Sequence, residues 1–204
     1  MAEWVRLGDR AIRFPRPEGA SAGALARAVR AWPHVVDIVV GPTDVGVYFD
    51  DVTPDVNARI AALENVRDAR EAAREVQLHV RYDGPDLDEV ARWLGMPRAE
   101  VIALHAGARY TVESIGFAPG FAYLSGLDPR LHVPRRQTPR PRVPAGALAI
   151  AAGYTAVYPF DSPGGWNLIG SLADDAPMFD GHGARLQLGD RVRFVERAFV
   201  GGDA

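Results

Sequence analysis

Two segments decide the fold of this chain: GFAPGFAYL at residues 116–124 and DSPGGWNLIG at residues 161–170. Glycine permits positive φ or close backbone approach and proline fixes its own φ, so each segment predicts a tight turn. Both turns also carry aromatic residues. Such a turn presents backbone N–H groups beside a large apolar ring, which suits a small polar ligand. The alternative is a barrel corner that is held by an aromatic side chain.

A basic arm, residues 129–144, lies between these segments. Its arginines alternate with prolines and are Arg130, Arg135, Arg136, Arg140 and Arg142. No Asp or Glu occurs in residues 129–160. Because the prolines prevent a helix, the guanidinium groups are expected on an extended segment, where they can bind carboxylate or phosphate. The alternative is a solvated loop whose charge is neutralised by acids elsewhere in the fold.

The C-terminal half carries ordered motifs that resemble those of a known family. They are Gly116–Leu124, Gly126–Leu131, Pro134–Arg136, Thr138–Arg140, Val143–Gly146, Tyr158–Pro159 and Ser162–Gly170. In these motifs the chain resembles the B subunit of the bacterial ATP-dependent 5-oxoprolinase. This family, also called allophanate hydrolase subunit 1 or carboxyltransferase subdomain C and D, includes a sporulation-kinase inhibitor. It is related to part of the carboxyltransferase domain of urea carboxylase. The N-terminal third matches in length and layout more than in residues.

Residues 1–82 predict a small α+β domain. Their elements follow the order β-α-β-β-α-β of a ferredoxin-like unit. The predicted elements are a strand at 4–14, a helix at 19–32, a hairpin of strands 35–40 and 45–49, a helix capped by Thr53 or Asp55, and a strand at 76–82. We see no catalytic constellation in this part, and a fold by itself does not define a function.

Residues 83–204 predict a second domain that begins with two short helices, one through Leu94 and one from Pro97 to Gly107. These two helices carry too few basic residues to read DNA. Short strands separated by Gly and Pro follow, which favours a closed or nearly closed barrel. The strands are predicted at 109–117, 147–152, 155–160, 167–173 and 191–195. The resemblance implies a cyclophilin-like β-barrel, so the overall expectation is an α+β fold.

The composition excludes several classes of function. With a net charge of −3, the chain is not expected to bind nucleic acid or membranes. The absence of Cys, of a signal-like opening and of long apolar runs predicts a cytoplasmic protein. All 23 basic residues are Arg, which excludes a Walker lysine and a biotin-carrying lysine on this chain. The five histidines lack metal-ligand spacing, so no protein metal site is expected.

The resemblance implies an activity that needs partner subunits. In the family, the B-type and C-type subunits together perform the ATP-dependent activation of 5-oxoproline, a cyclic amide, and the A-type subunit then completes the ring opening to glutamate. ATP is therefore the expected cofactor, with magnesium held at least partly by a partner. Without lysine, the phosphates must be held by Arg, by backbone N–H groups or by another chain.

A phosphorylated amide intermediate would explain the basic arm and both turns. The candidate catalytic residues are Arg140, Ser162 and His132. The candidate substrate-binding residues are Phe117, Pro119, Gly120, Tyr123, Arg135, Arg136, Arg142, Tyr154, Tyr158, Gly164, Gly165 and Trp166. The arginines would hold phosphate or the substrate carboxylate, Ser162 and the glycines would donate hydrogen bonds, and the aromatic rings would exclude water.

Two departures from the family pattern keep other functions open. Many relatives carry Gln at the position of Tyr154, and this difference puts the substrate in doubt. The usual Cys-Tyr-Gly-Gly is here Arg81–Gly84, which concerns the domain junction. One alternative is a carboxyltransferase or amidohydrolase-like subunit that acts on urea-derived amides. The other is a regulatory protein that inhibits a sensor histidine kinase and uses the arm and the aromatic turns as its docking surface.

Overall fold

The N-terminal part is a four-stranded antiparallel sheet that packs against two helices. A computed structural model describes residues 3–51, 55–64, 66 and 73–197. The first elements are β1 (Val5–Arg6), β2 (Ala11–Pro15), α1 (Ala22–Arg30), β3 (Val35–Val40), β4 (Asp44–Phe49) and α2 (Asn57–Leu63), with strand order β1-β2-β4-β3. Alternation along β4 buries Val45, Val47 and Phe49 in an apolar core that also contains Leu25 of α1. Ser21 caps α1, because its hydroxyl accepts a hydrogen bond from the N–H of Ala24 at 3.2 Å.

The hairpin at residues 35–49 is confirmed, and the N–H of Gly41 donates to the carbonyl of Asp44 at 2.8 Å to close its turn. The single strand expected at 4–14 is wrong. That segment is a hairpin of β1 and β2, because Gly8 takes a φ of +68° and reverses the chain. The proposed cap Thr53 lies outside the described residues. The other proposed cap, Asp55, accepts a hydrogen bond from the N–H of Asn57 at 3.1 Å.

The C-terminal part is a closed seven-stranded β-barrel. The remaining α-helices are α3 (Leu87–Leu94) and α4 (Arg98–Gly107), as predicted. The basic arm begins with a short 3-10 helix, Pro129–Leu131, so the prediction that it forms no helix is wrong for these three residues. The remaining strands are β5 (Glu75–Arg81), β6 (Tyr110–Ile115), β7 (Ala122–Ser125), β8 (Arg140–Val143), β9 (Ala147–Ala151), β10 (Tyr154–Val157), β11 (Ser162–Gly164), β12 (Asn167–Leu172), β13 (Phe179–Asp180), β14 (Gly183–Ala184) and β15 (Arg191–Glu196). The barrel order is β10-β7-β6-β15-β5-β12-β9, and β8 with β11 and β13 with β14 form separate two-stranded ribbons. The predicted α+β fold class with a C-terminal barrel is confirmed.

Strand β5 belongs to the barrel. It pairs with β12 in antiparallel fashion and with β15 in parallel fashion, from Glu75 opposite Arg191 to Val80 opposite Glu196. The prediction that this strand closes a β-α-β-β-α-β unit is therefore wrong, and the N-terminal order is β-β-α-β-β-α. A domain division at residue 82 would separate β5 from its sheet, so we propose a division between α2 and β5.

The N-terminal sheet and the barrel touch through α1. A Cβ on Gly23 of α1 would lie 2.8 Å from the Cα of Gly189, so only glycine permits this approach. The guanidinium of Arg16 also joins the two parts, because it pairs with the carboxylate of Glu113 on β6. Among the described helices, none is both long and apolar enough to span a membrane.

Helix α4 is tied to the barrel interior by His105, which is fully buried. The hydroxyl of Thr155 donates to the carbonyl of Ala149 at 3.0 Å and accepts from Nε2 of His105 at 2.9 Å. Nδ1 is then the acceptor, and the hydroxyl of Tyr82 donates to it at 2.8 Å. Burial lowers the pKa of His105 to about 3, so the imidazole is neutral in the folded protein.

Candidate functional site

The two segments that frame the predicted site meet around the ring of Phe121, which is 2% exposed. Four rings lie roughly perpendicular to it, with centroid distances of 5.3 Å for Phe117, 5.0 Å for Tyr123, 5.2 Å for Tyr158 and 5.7 Å for Trp166. Tyr154 extends the group through an edge contact with Tyr123 at 6.0 Å. We call these six residues the aromatic cluster. The structure thus brings five of the predicted aromatic site residues together.

The turn at residues 116–121 presents an exposed ring at the edge of the cluster. Phe117 is 64% exposed and has a φ of +73°, a strained value for a residue with a side chain. Pro119 is exposed at the tip of the turn. Gly120 has a structural reason to be glycine, because its φ is +77° and a Cβ would lie 2.8 Å from the Cβ of Phe179. Such strain is most common at functional sites.

Acidic side chains form ion pairs with most of the arginines of the basic arm. Arg130 pairs with Asp128 at 2.9 Å, and Arg142 pairs with Asp161 at 2.5 Å. Arg136 and Arg140 both pair with the buried carboxylate of Asp86, at 3.0 and 2.6 Å. The expectation of uncompensated charge is therefore wrong for Arg130 and Arg142, whereas Arg136 and Arg140 share one buried carboxylate.

Arg135 is the exception within residues 73–197, where no carboxylate forms an ion pair with it. Its guanidinium carbon lies 6.0 Å from the ring centroid of Trp166, over the face of the indole. Because the side chain is exposed at the edge of the aromatic cluster, its charge is available to an anion beside that cluster.

The ribbon of β8 and β11 carries Arg140 and Ser162 next to the cluster. Arg140 lies opposite Gly164, and Ser162 lies opposite Val143. Gly164 lies directly against the phenol of Tyr158, because a Cβ on Gly164 would lie 2.3 Å from Oη. The carbonyl of Gly165 accepts a hydrogen bond from the backbone N–H of Arg136 at 2.7 Å, which fixes the arm on the ribbon.

The phenol of Tyr158 lies within reach of the arm's charge. The pKa of Tyr158 is raised from its ordinary value, because burial outweighs the effects that lower it. These are a hydrogen bond with the backbone of Trp166 and the guanidinium charges of Arg135 and Arg140. The phenol therefore stays protonated at neutral pH. It is a neutral, positioned group beside positive charge, rather than a base.

Three polar atoms at this site are buried without a hydrogen-bond partner among the described residues: Nε of Arg136, Nη1 of Arg140 and Oγ of Ser162. Leaving a buried donor unpaired costs about 1–3 kcal/mol, and more when the group is charged. Such groups are expected to find a ligand or ordered water. Two of the three predicted catalytic residues, Arg140 and Ser162, therefore each carry a buried donor without a partner among the described residues.

A cavity of about 400 Å³ opens between α3 and the arm. Trp93 of α3, which is 62% exposed, forms one wall, and Arg135 and Arg136 form another. The remaining lining residues are Glu89, Val90, Val133, Pro134, Gln137, Thr138 and Asn167. The cavity has the size of a small-molecule site, and Arg135, which lines it, also lies over Trp166 of the aromatic cluster.

Two predicted residues have other roles in the structure. Nε2 of His132 donates to the carbonyl of Leu127 at 3.2 Å, and the ring packs on Gly153, where a Cβ would lie 3.1 Å from Cε1. This contact favours a structural role for His132. The N–H of Ala145 and the exposed guanidinium of Arg142 both lower the pKa of Asp161, which favours a role for Arg142 in holding the ribbon's outer end.

The sequence interpretation missed Asp86, the buried acid that holds Arg136 and Arg140. Its signal in the sequence was weak, because an Asp directly before a predicted helix usually indicates an exposed residue that caps the helix. It also missed the central role of Phe121, although this residue lies within the motif Gly116–Leu124. Within the described residues, no group of three His, Cys, Asp or Glu side chains could hold a metal ion.

Comparison with known proteins assigns the family. The model of the family described as "Carboxyltransferase domain, subdomain C and D" matches residues 5–187, which include both turn segments and the basic arm. The chain belongs to this family. It is 37% identical over 181 residues to the 5-oxoprolinase B subunit of Haemophilus influenzae, covering 84% of each chain. It is 41% identical over 159 residues to that of Bacillus subtilis, covering 76% of this chain and 65% of the relative.

A solved structure shows the same fold inside a longer polypeptide. The TTHA0988 protein superposes with a TM-score of 0.75 and 39% identity, over 93% of this chain and 40% of that chain. The chain therefore spans less than half of that polypeptide. In the TTHA0988 protein, the matched region is joined to further chain.

Proposed function

We propose that this chain is the B subunit of an ATP-dependent 5-oxoprolinase and works with a C-type subunit to activate 5-oxoproline. The observation that carries the proposal is the meeting of the two turn segments and the arm at one place, where aromatic walls lie beside unpartnered donors of Arg140 and Ser162. The names of relatives at 37% and 41% identity support the same activity.

The site suits a small cyclic amide that carries a carboxylate. The aromatic cluster offers flat apolar walls to the ring, and Arg135 above Trp166 offers a cation to the carboxylate. The hydroxyl of Ser162 can donate or accept a hydrogen bond with the amide, and the polar groups of the nearby backbone can add to it. The substrate would thus be oriented by charge at one end and by neutral donors at the other.

In the proposed step, the amide oxygen of 5-oxoproline attacks the γ-phosphorus of ATP and ADP leaves. Negative charge is then concentrated on the transferred phosphoryl group. The free N–H groups of Arg136 and Arg140 fit this charge, and fixed donors stabilise it without reorganisation. Because the described residues offer no cluster of metal ligands, magnesium would be held by the phosphates and by a partner.

The proposal includes partners and a location. A C-type subunit would complete the site, and an A-type subunit would finish the ring opening to glutamate. The longer TTHA0988 chain supports an arrangement in which this domain works beside another. We propose a cytoplasmic protein, since the chain contains no Cys and the substrates are intracellular metabolites. No lysine is present to carry biotin.

The experiment is to co-express this chain with the A-type and C-type subunits, and to measure ATP hydrolysis with and without 5-oxoproline. We expect 5-oxoproline to stimulate hydrolysis and glutamate to appear in step with ADP. Omission of this chain is the control and should abolish the stimulation.

Two outcomes would contradict the proposal. A stable complex that hydrolyses ATP only when a urea-derived amide is added would indicate a carboxyltransferase-like substrate. A chain that forms no complex and instead inhibits autophosphorylation of a histidine kinase would indicate a regulatory protein.

A further inference from the structure

Asp86 is held in place by the barrel. It lies at the start of α3, but its side chain makes no capping bond to the helix and is 4% exposed. Instead Oδ2 accepts from the N–H of Leu168 at 2.7 Å, while the N–H of Asp86 donates to the carbonyl of Leu168 at 3.0 Å. These two bonds fix the carboxylate on strand β12.

Gly84 makes this attachment possible. A Cβ on Gly84 would lie 2.3 Å from the carbonyl oxygen of Leu168 and 2.4 Å from the nitrogen of Gly170. Any side chain would push the turn at residues 83–86 away from β12. The glycine in this turn therefore sets the position of Asp86.

The other carboxylate oxygen organises the arm. Oδ1 of Asp86 accepts from Nη1 of Arg136 at 3.0 Å and from Nη2 of Arg140 at 2.6 Å. Both guanidinium groups are largely buried, with side-chain exposures of 28% and 25%. Two cations this close repel each other unless an anion lies between them. Without Asp86, they would be expected to separate toward solvent.

The net charge of Asp86, Arg136 and Arg140 favours the binding of a further anion. Two guanidinium groups and one carboxylate carry a net charge of +1, and Glu89 lies at 3.5 Å from Arg136 but is 64% exposed and screened by water. Nε of Arg136 and Nη1 of Arg140 remain buried without a described partner. The group therefore combines surplus positive charge with two unused donors, as an anion subsite requires.

We infer that Asp86 is a positioning residue, which directs the free N–H groups of Arg136 and Arg140 into a subsite for a phosphoryl or carboxylate group. The assignment rests on the proposed function for the identity of the anion. Asp86 itself does not touch the substrate. It acts by fixing the direction of two cations and by tying them to the barrel through Leu168.

The test is the variant Asp86→Asn in the co-expressed complex. Asn keeps an oxygen for the N–H of Leu168 but removes the charge and points N–H groups at the guanidiniums. The matched control is Asp88→Asn on the same helix, whose carboxylate is 72% exposed and pairs with Arg98. Calorimetric titration with inorganic phosphate measures the subsite directly, without turnover.

We expect Asp86→Asn to weaken phosphate binding about tenfold or more, because the two guanidinium groups lose the carboxylate that holds them together and no longer direct their donors at one anion. In the turnover assay, kcat should fall as well, because the same donors face the charge that develops on the transferred phosphoryl group. Asp88→Asn should match the wild type in both measurements. Unchanged phosphate affinity in a folded, assembled Asp86→Asn complex, or no phosphate binding by the wild type, would overturn the inference.

A second variant covers the case in which Asp86→Asn does not fold. Asp86→Glu keeps the charge but displaces it by one methylene, so phosphate should still bind, severalfold more weakly than to the wild type. Wild-type affinity in Asp86→Glu would then overturn the inference. Because phosphate binding needs no turnover, an inactive complex that shows these differences would contradict the proposed function and leave the role of Asp86 standing.

Discussion

Gly164 lies against the phenol of Tyr158, and a Cβ there would lie 2.3 Å from Oη. Tyr158 is 1% exposed and cannot rotate away. We therefore expect Gly164→Ala to lower the free energy of unfolding by about 1–3 kcal/mol, as overpacking does. Urea denaturation measures this. Gly181→Ala, where a Cβ has open space, should leave it within about 0.5 kcal/mol, and equal stability of the two variants would contradict the packing described here.

The side chains of the arm show what the sequence could and could not predict about the site. The aromatic residues of the site were predictable, because the turn-forming residues and the aromatic rings occur together in short segments of the sequence. The partner of Arg136 and Arg140 was not, because Asp86 lies 50 and 54 positions away in the chain. Only the tertiary fold brings such a carboxylate to the arm. Excess charge within a segment therefore does not establish an external ligand.

Helix α4 depends on the neutral imidazole of His105, and this makes stability depend on pH. Burial lowers its pKa to about 3, so the unfolded chain binds the proton first as pH falls below about 6.5. This stabilisation is complete above about pH 6.5 and is lost progressively toward about pH 3. Between pH 7 and pH 5 we expect a loss of about 2 kcal/mol in the free energy of unfolding from this group.

The variant His105→Gln tests this, because Gln does not titrate. It should be less stable at pH 7, since it breaks the bonds to Tyr82 and Thr155, but the loss between pH 7 and pH 5 should be smaller than in the wild type by about 2 kcal/mol. Denaturation at both pH values gives the two differences. Equal losses in both proteins would show that His105 does not carry the effect.

Strands were easier to predict than their partners. The patterns at 35–49 and 191–195 predicted their strands because alternation and turn residues are local. Strand β5 was also found, but it was placed in the wrong sheet. Its parallel partner β15 begins at Arg191, so the pairing of Glu75 with Arg191 crosses most of the chain. The alternation of apolar and polar residues along a strand shows which face is buried, but it does not show which strand lies beside it.

At the level of the whole protein, closure of the barrel is what joins the two segments. Strands β7 and β10 are neighbours in the barrel, and they carry Tyr123 and Tyr154 to one edge. Strand β12 then follows Trp166 and holds Asp86 through Leu168. The barrel was predictable in class, but the order of its strands was not. The site therefore exists only in the folded barrel, although its residues come from short motifs.

The most direct test of the central claim compares 5-oxoproline-stimulated ATP hydrolysis by the co-expressed complex containing wild-type chain, Arg140→Ala or Arg130→Ala. Arg130 belongs to the same arm, is 58% exposed and pairs with Asp128 away from the cluster. We predict that Arg140→Ala lowers kcat/KM about 100-fold, as removal of one fixed donor to developing charge does, while Arg130→Ala retains the wild-type rate. A folded, assembled Arg140→Ala complex that turns over at the wild-type rate would contradict the account.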